Sequence, residues 1–86
     1  MLMVTVKLFG TLRIDSGVKE LRMEAGSVRE LIPLVCRELR RQRPDCAVSA
    51  KDLRACLVAV NGVRVGARSR LRDGDVAAFF PTAAGG

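Results

Sequence analysis

Apolar positions alternate along the start of the chain: Leu2, Val4, Val6 and Leu8 fall on one face, and Met3, Thr5, Lys7 and Phe9 on the other. A period of two predicts a strand with one buried face, and it sets Phe9 opposite Leu8. Gly10 and the Asp15-Ser16-Gly17 stretch supply turn residues, after which Val18 to Glu24 reads as a second strand pairing back on the first, an opening β-hairpin. From Ser27 the period changes. Val28, Leu31, Ile32, Val35, Cys36 and Leu39 recur at helical spacing, and Ser27 followed by Glu30 has the layout of a capping box, so a helix is predicted from about 28 to about 41. Pro33 removes one backbone donor early in that helix and predicts either a bend or a loosely wound first turn.

Residues 42 to 54 read as a connecting loop broken by Pro44 and Asp45, with at most a short turn at Ser49 to Leu53. Cys56 to Val60 is an apolar, β-rich run. Asn61-Gly62 is a strong two-residue hairpin signal, and Val63 to Val65 returns as a short strand. Asp73-Gly74-Asp75 is a further turn, and Val76 to Phe80 forms a last strand that Pro81 ends, having no N–H for the ladder. The order β-β-α-β-β-β predicts an α+β fold of the β-grasp type: a mixed sheet of about five strands with one main helix on one face. Residues 1–80 form the domain and 81–86 a flexible tail.

Composition narrows the function. With 86 residues, one modest core must carry the fold, which argues against a large internal active site. The 49% apolar and 28% charged content favours a folded globule. No apolar run approaches the roughly 18 residues that cross a bilayer, and the N-terminus lacks a signal-peptide layout, so a cytoplasmic protein without a membrane partner is expected. Cys36, Cys46 and Cys56 are odd in number, lack CxxC spacing and have no histidine to complete a zinc site; they read as reduced thiols, with no bound metal expected. Fifteen basic against nine acidic residues give a net charge of +6. No Trp or Tyr is interleaved with the basic residues, which disfavours nucleic acid as the partner.

After Pro81 come Thr82, Ala83, Ala84, Gly85 and Gly86, small residues with nothing to bury. Diglycine lets a backbone thread a narrow channel and leaves a terminal carbonyl unhindered. A carboxylate resists nucleophiles, so it needs prior activation, for example as an acyl-adenylate, before a sulfur nucleophile or a lysine amine displaces the nucleotide. A frayed glycine end explains such a pair equally well in isolation; its place after a proline-stopped last strand of a β-grasp pattern is what gives it weight.

Phe9-Gly10-Thr11-Leu12-Arg13, Val60-Asn61-Gly62, and the run from Leu71 through Asp73-Gly74-Asp75 to Phe79-Phe80-Pro81 before Gly85-Gly86 together resemble the small subunit of molybdopterin synthase, one of the ubiquitin-like sulfur carriers. The resemblance covers nearly the whole chain. It implies that an E1-like adenylyltransferase activates Gly86 with ATP, that the carboxylate becomes a thiocarboxylate, and that the tail enters the large catalytic subunit to donate sulfur during molybdenum cofactor biosynthesis. On this reading Gly86 bears the sulfur, Gly85 is the slim neck behind it, and the chain binds no cofactor and has no catalysis of its own. Thr82, Val76 and Arg64 depart from the family, where a second proline, an acidic residue and an apolar residue are frequent. The same tail chemistry also serves a carrier for thiamine, cysteine or another sulfur pathway, or a ubiquitin-like modifier joined to lysines.

If Ala77 and Phe79 face inward, Phe80 faces outward, and the first and last strands of a β-grasp sheet are neighbours. Phe9 and Phe80 are therefore expected to form one exposed apolar patch beside Pro81, suited to docking. Arg13, part of the family-like motif, is expected to dock against an acidic rim of the partner, with Arg68, Arg70 and Arg72 around the final turn as further candidates for which, taken singly, solvated charge is the favoured reading.

Overall fold

The computed structural model describes residues 2–82. Five strands form one sheet: β1 (Met3–Leu8), β2 (Glu20–Glu24), β3 (Leu57–Val60), β4 (Val63–Val65) and β5 (Val76–Phe80). Their order is β2-β1-β5-β3-β4. β1 is antiparallel to β2 and parallel to β5, and β3 is antiparallel to both β5 and β4. The parallel pair sits at the centre because the chain must cross the sheet between β2 and β3, and a helix makes that crossing.

That helix, α2 (Val28–Gln42), buries Val28, Leu31, Ile32, Val35, Cys36 and Leu39, the residues its periodicity selects. They pack with Val4, Val6 and Leu8 of β1, Leu21 of β2, Val58 of β3, and Ala77 and Phe79 of β5 in one core. The Ser27 hydroxyl accepts from the Glu30 N–H at 3.2 Å. The return bond of the predicted capping box is displaced by one residue: the Glu30 carboxylate accepts from the Gly26 N–H at 2.8 Å. Pro33 lies inside a single continuous helix. Proline and Arg29, whose carbonyl lacks the bond that Pro33 has no N–H to give, are both exposed.

Two short helices correct the sequence reading. The link from β1 to β2 is no tight hairpin turn: α1 (Gly10–Ser16) occupies it and buries Leu12 and Ser16, one helical turn apart. Gly17 closes α1 in the left-handed conformation at φ 71°. The buried Ser16 hydroxyl accepts from the Val18 N–H at 3.1 Å and donates to the Val18 carbonyl. Seven residues with two buried positions are too few for periodicity to register, and the Asp-Ser-Gly signal marks the end of a helix here. The loop over 42–54 likewise contains α3 (Ala50–Arg54), with a full capping box between Ser49 and Asp52 and Leu53 buried beneath it. β3 begins at Leu57, one residue later than predicted, with Cys56 just before it.

The family-like motifs mostly hold strands together. Asn61 and Gly62 both have positive φ, 52° and 84°, as a tight hairpin turn between antiparallel strands requires. The Asn61 amide oxygen accepts from the Val76 N–H at 2.9 Å, and its Nδ2 donates to the Asp75 carboxylate at 2.9 Å. Asp75 also accepts from the Arg72 N–H, Asp73 accepts from the Met3 N–H, and the Gly74 N–H donates to the Met3 carbonyl. One end of β1, β3 and β5 is thereby stitched at the end opposite Phe80.

Candidate functional site

Burial along β5 alternates as the pleat demands: Ala77 and Phe79 are wholly buried, while Phe80 keeps 38% of its surface open on the far face. Because β1 and β5 run parallel in register, with Leu8 beside Phe79, the next residue of each strand emerges at the same end of the sheet. There Phe9 and Phe80 stack with ring centroids 4.6 Å apart and planes 12° from parallel. The predicted exposed patch is thus a pair of stacked rings on the face that no helix covers.

Leu57 completes it. It pairs with Phe80 across the β3–β5 ladder and is 39% exposed. Sequence reasoning missed this residue because Cys56 to Val60 is apolar throughout and does not reveal which side chains face out. Two alanines, Ala59 and Ala78, pair next to Leu57 and Phe80 and keep the face low behind the rings.

Pro81 leaves the sheet against Gly10. Gly10 has φ +57°, and a Cβ there would stand 3.0 Å from the Pro81 Cγ. The glycine of the Phe9-Gly10 pair therefore serves two purposes: it turns the chain from β1 into α1, and it admits the proline that starts the path beyond the sheet. Gly85 and Gly86, the predicted reactive end, lie outside the described residues.

Arg13 projects from α1 and is exposed. It lines one shallow depression together with Phe9, Lys7, Lys19 and Glu20, so three cations and one carboxylate border the aromatic pair. Lys7 and Lys19 were not singled out from sequence, where they read as ordinary strand and turn charges. Arg68, Arg70 and Arg72 do not line this depression. Arg70 bridges to Ser27 at the start of α2, and the Arg72 N–H donates to Asp75 at the other end of β5.

The thiols are poorly placed for chemistry. Burial pushes the Cys36 and Cys56 thiols above their ordinary range, and the Cys56 Sγ donates to the Asp52 carbonyl at 3.2 Å. Cys46 is half-buried and packs on the core, less open than its loop position suggested. Among the described residues no helix is long and apolar enough to cross a membrane, and no group of three potential metal ligands is assembled.

A sequence model of the ThiS family matches residues 6–86. The fold is that of a subunit 1 of molybdopterin converting factor, named as putative, from Pyrococcus furiosus: 30% identical, TM-score 0.66, covering 96% of this chain and 100% of that one. It is also that of a chain in the BexX/CysO complex of Amycolatopsis orientalis, at 28% identity and TM-score 0.69 over 96% and 99% of the two chains. At 24% identity it matches a chain in the complex of subunits 1 and 2 of molybdopterin-converting factor from Helicobacter pylori, with TM-score 0.64 over 99% and 100%. No curated protein matches the sequence.

Proposed function

The chain belongs to the ThiS family of ubiquitin-like sulfur carriers, and from that premise we propose that it is the sulfur-carrying small subunit of molybdopterin synthase. An activating enzyme joins the Gly86 carboxylate to AMP from ATP and releases pyrophosphate. A sulfur donor then displaces AMP, leaving a thiocarboxylate. In the large subunit that sulfur forms a carbon–sulfur bond to the molybdopterin precursor, and water returns the acyl carbon to the carboxylate.

The observation that carries this reading is the placement of the Phe9–Phe80 stack, with Leu57 and Pro81, at the point where the chain leaves β5 toward Gly85 and Gly86. An apolar anchor at the root of a reactive end lets a partner grip the folded domain while its channel admits the tail, so that binding free energy positions the reacting carbonyl. The likeness to the Pyrococcus furiosus protein supports the molybdopterin assignment. The likeness to a chain of the BexX/CysO complex supports a second reading, in which the same carrier chemistry serves a different partner enzyme.

The test begins with intact mass after incubation with ATP, an activating enzyme shown to be competent and a sulfur donor. A gain of roughly 16 Da, one oxygen exchanged for sulfur at an acyl centre, that is abolished by deleting Gly86 is expected. No gain overturns the carrier chemistry. The thiocarboxylated protein is then mixed with a molybdopterin synthase large subunit and the precursor: formation of the dithiolene product is expected, and transfer only to another enzyme's substrate selects the second reading.

A further inference from the structure

On the helix-bearing side of the sheet, at its β4 edge, the start of α2, the end of α3 and strands β3 and β4 enclose a groove of about 390 Å³. Its apolar lining comes from Val28, Ile32, Leu53, Val58 and Val65. Three arginines border it, each from a different segment: Arg29 in the first turn of α2, Arg54 at the end of α3, and Arg68 in the turn after β4, whereas Arg64, paired with Ala59, has its side chain on the helix-free face. All three are exposed, and no acidic residue lines the groove.

These arginines are uncommitted. Among the described residues the only ion pair joins Arg41 to Glu38, at 2.6 Å on the far end of α2. The carboxylates that α2 and α3 carry near their starts are held by backbone N–H groups: Glu30 by Gly26 at 2.8 Å, and Asp52 by Ser49 at 2.9 Å. An apolar groove bordered by arginines in no ion pair leaves both its lining and its charge without a partner among the described residues.

We propose that this groove is a docking site for a short acidic segment of another protein that carries an aliphatic side chain, the aliphatic group filling the groove and its flanking carboxylates meeting Arg29, Arg54 and Arg68. Bidentate pairing with carboxylates suits guanidinium geometry. A second copy of this chain is a poor occupant, because each copy carries a net charge of +6 and the border would face its own sign. Nucleic acid is a poor occupant as well: no aromatic ring lines the groove for a base to stack on. Of the groove residues only Leu57 also belongs to the aromatic patch, so most of the two surfaces can be engaged independently. The proposal does not depend on the carrier role.

The test is an NMR titration of the isotope-labelled full chain with an acetylated, amidated peptide, Glu-Asp-Glu-Leu-Leu-Asp-Glu-Asp, against the same peptide with both leucines replaced by glycine. Expected are saturable shifts centred on the amides of Arg29, Ile32, Arg54, Val65 and Ala67. At least about a tenfold loss of affinity is expected for the glycine peptide, and a similar loss for the Arg54→Glu, Arg68→Glu double variant. Ala67→Glu, which places a negative charge in the lining without removing an arginine, should weaken binding in the same way. Shifts centred on Phe9 and Phe80, no binding at all, or equal affinity for the glycine peptide would each overturn the proposal. The last result would mark an unselective basic surface, and tighter binding of inorganic triphosphate at the same amides would make the groove a phosphate site.

Discussion

Phe79 and Phe80 are consecutive in the chain and opposite in the sheet, so alanine substitutions at the two positions separate core packing from surface stacking. Phe79 is wholly buried, and truncating such a ring costs about 3–5 kcal/mol. A chain of 86 residues has a total stability of about 4–13 kcal/mol at the usual value per residue, so Phe79→Ala removes a large share of it. Phe80 retains 38% of its surface. Of the roughly 200 Å² that a phenylalanine buries, about 120 Å² is then covered, which sets a ceiling of ~3 kcal/mol. The residual contacts of alanine and partial burial in the unfolded chain lower the expected loss for Phe80→Ala to about 1–2 kcal/mol. The rings of Phe9 and Phe80 stack at 4.6 Å, so a double-mutant cycle should return a coupling of about 0.5–1.5 kcal/mol. The assay is urea unfolding followed by far-ultraviolet circular dichroism, since the chain has no Trp or Tyr, with midpoints compared at constant slope. A loss at Phe80 equal to that at Phe79 would mean that Phe80 is core and the patch does not exist; additivity of Phe9→Ala and Phe80→Ala would mean that the rings do not interact.

Gly10→Ala should destabilise the domain by about 1–2 kcal/mol from its positive φ alone, and the 3.0 Å approach to Pro81 should also shift the amide resonances of Thr82, which thermal melts and NMR spectra would check. Ser27→Ala removes the hydroxyl that accepts from Glu30 and should cost about 1 kcal/mol in the same unfolding assay, with β-sheet content unchanged. Hydrogen bonds from the Arg72 N–H and the Asn61 side chain hold the Asp75 carboxyl below its ordinary value of 3.8. Its contribution is therefore fully present above that ordinary value and lost as pH falls through the lower folded-state value, so Asp75→Asn should flatten the acid limb of a stability-against-pH curve; an unchanged limb would remove Asp75 from its cause.

The periods of β1 and α2 were legible because each element is long enough to repeat its buried face, and β3 and β5 because their apolar runs end at Asn61-Gly62 and Pro81, which act through local backbone geometry. The opposed faces of Phe79 and Phe80 follow from the same local rule. α1 escaped because its two buried positions, Leu12 and Ser16, span a single turn, and its Gly17 cap resembles an ordinary turn residue. Leu57 escaped because an unbroken apolar run does not say which side chains point out. Its partnership with Phe80 exists only through the β3–β5 register, which joins residues far apart in the chain. Arg68, Arg70 and Arg72 lie close to β5 in sequence, but the chain enters β5 at the end opposite Phe80. Tertiary structure instead gathers Arg29, Arg54 and Arg68 from three segments around one groove. Sequence determined which residues must be buried or must turn, since those are local demands of the backbone and of water; which exposed residues became neighbours was decided only when the strands took their order.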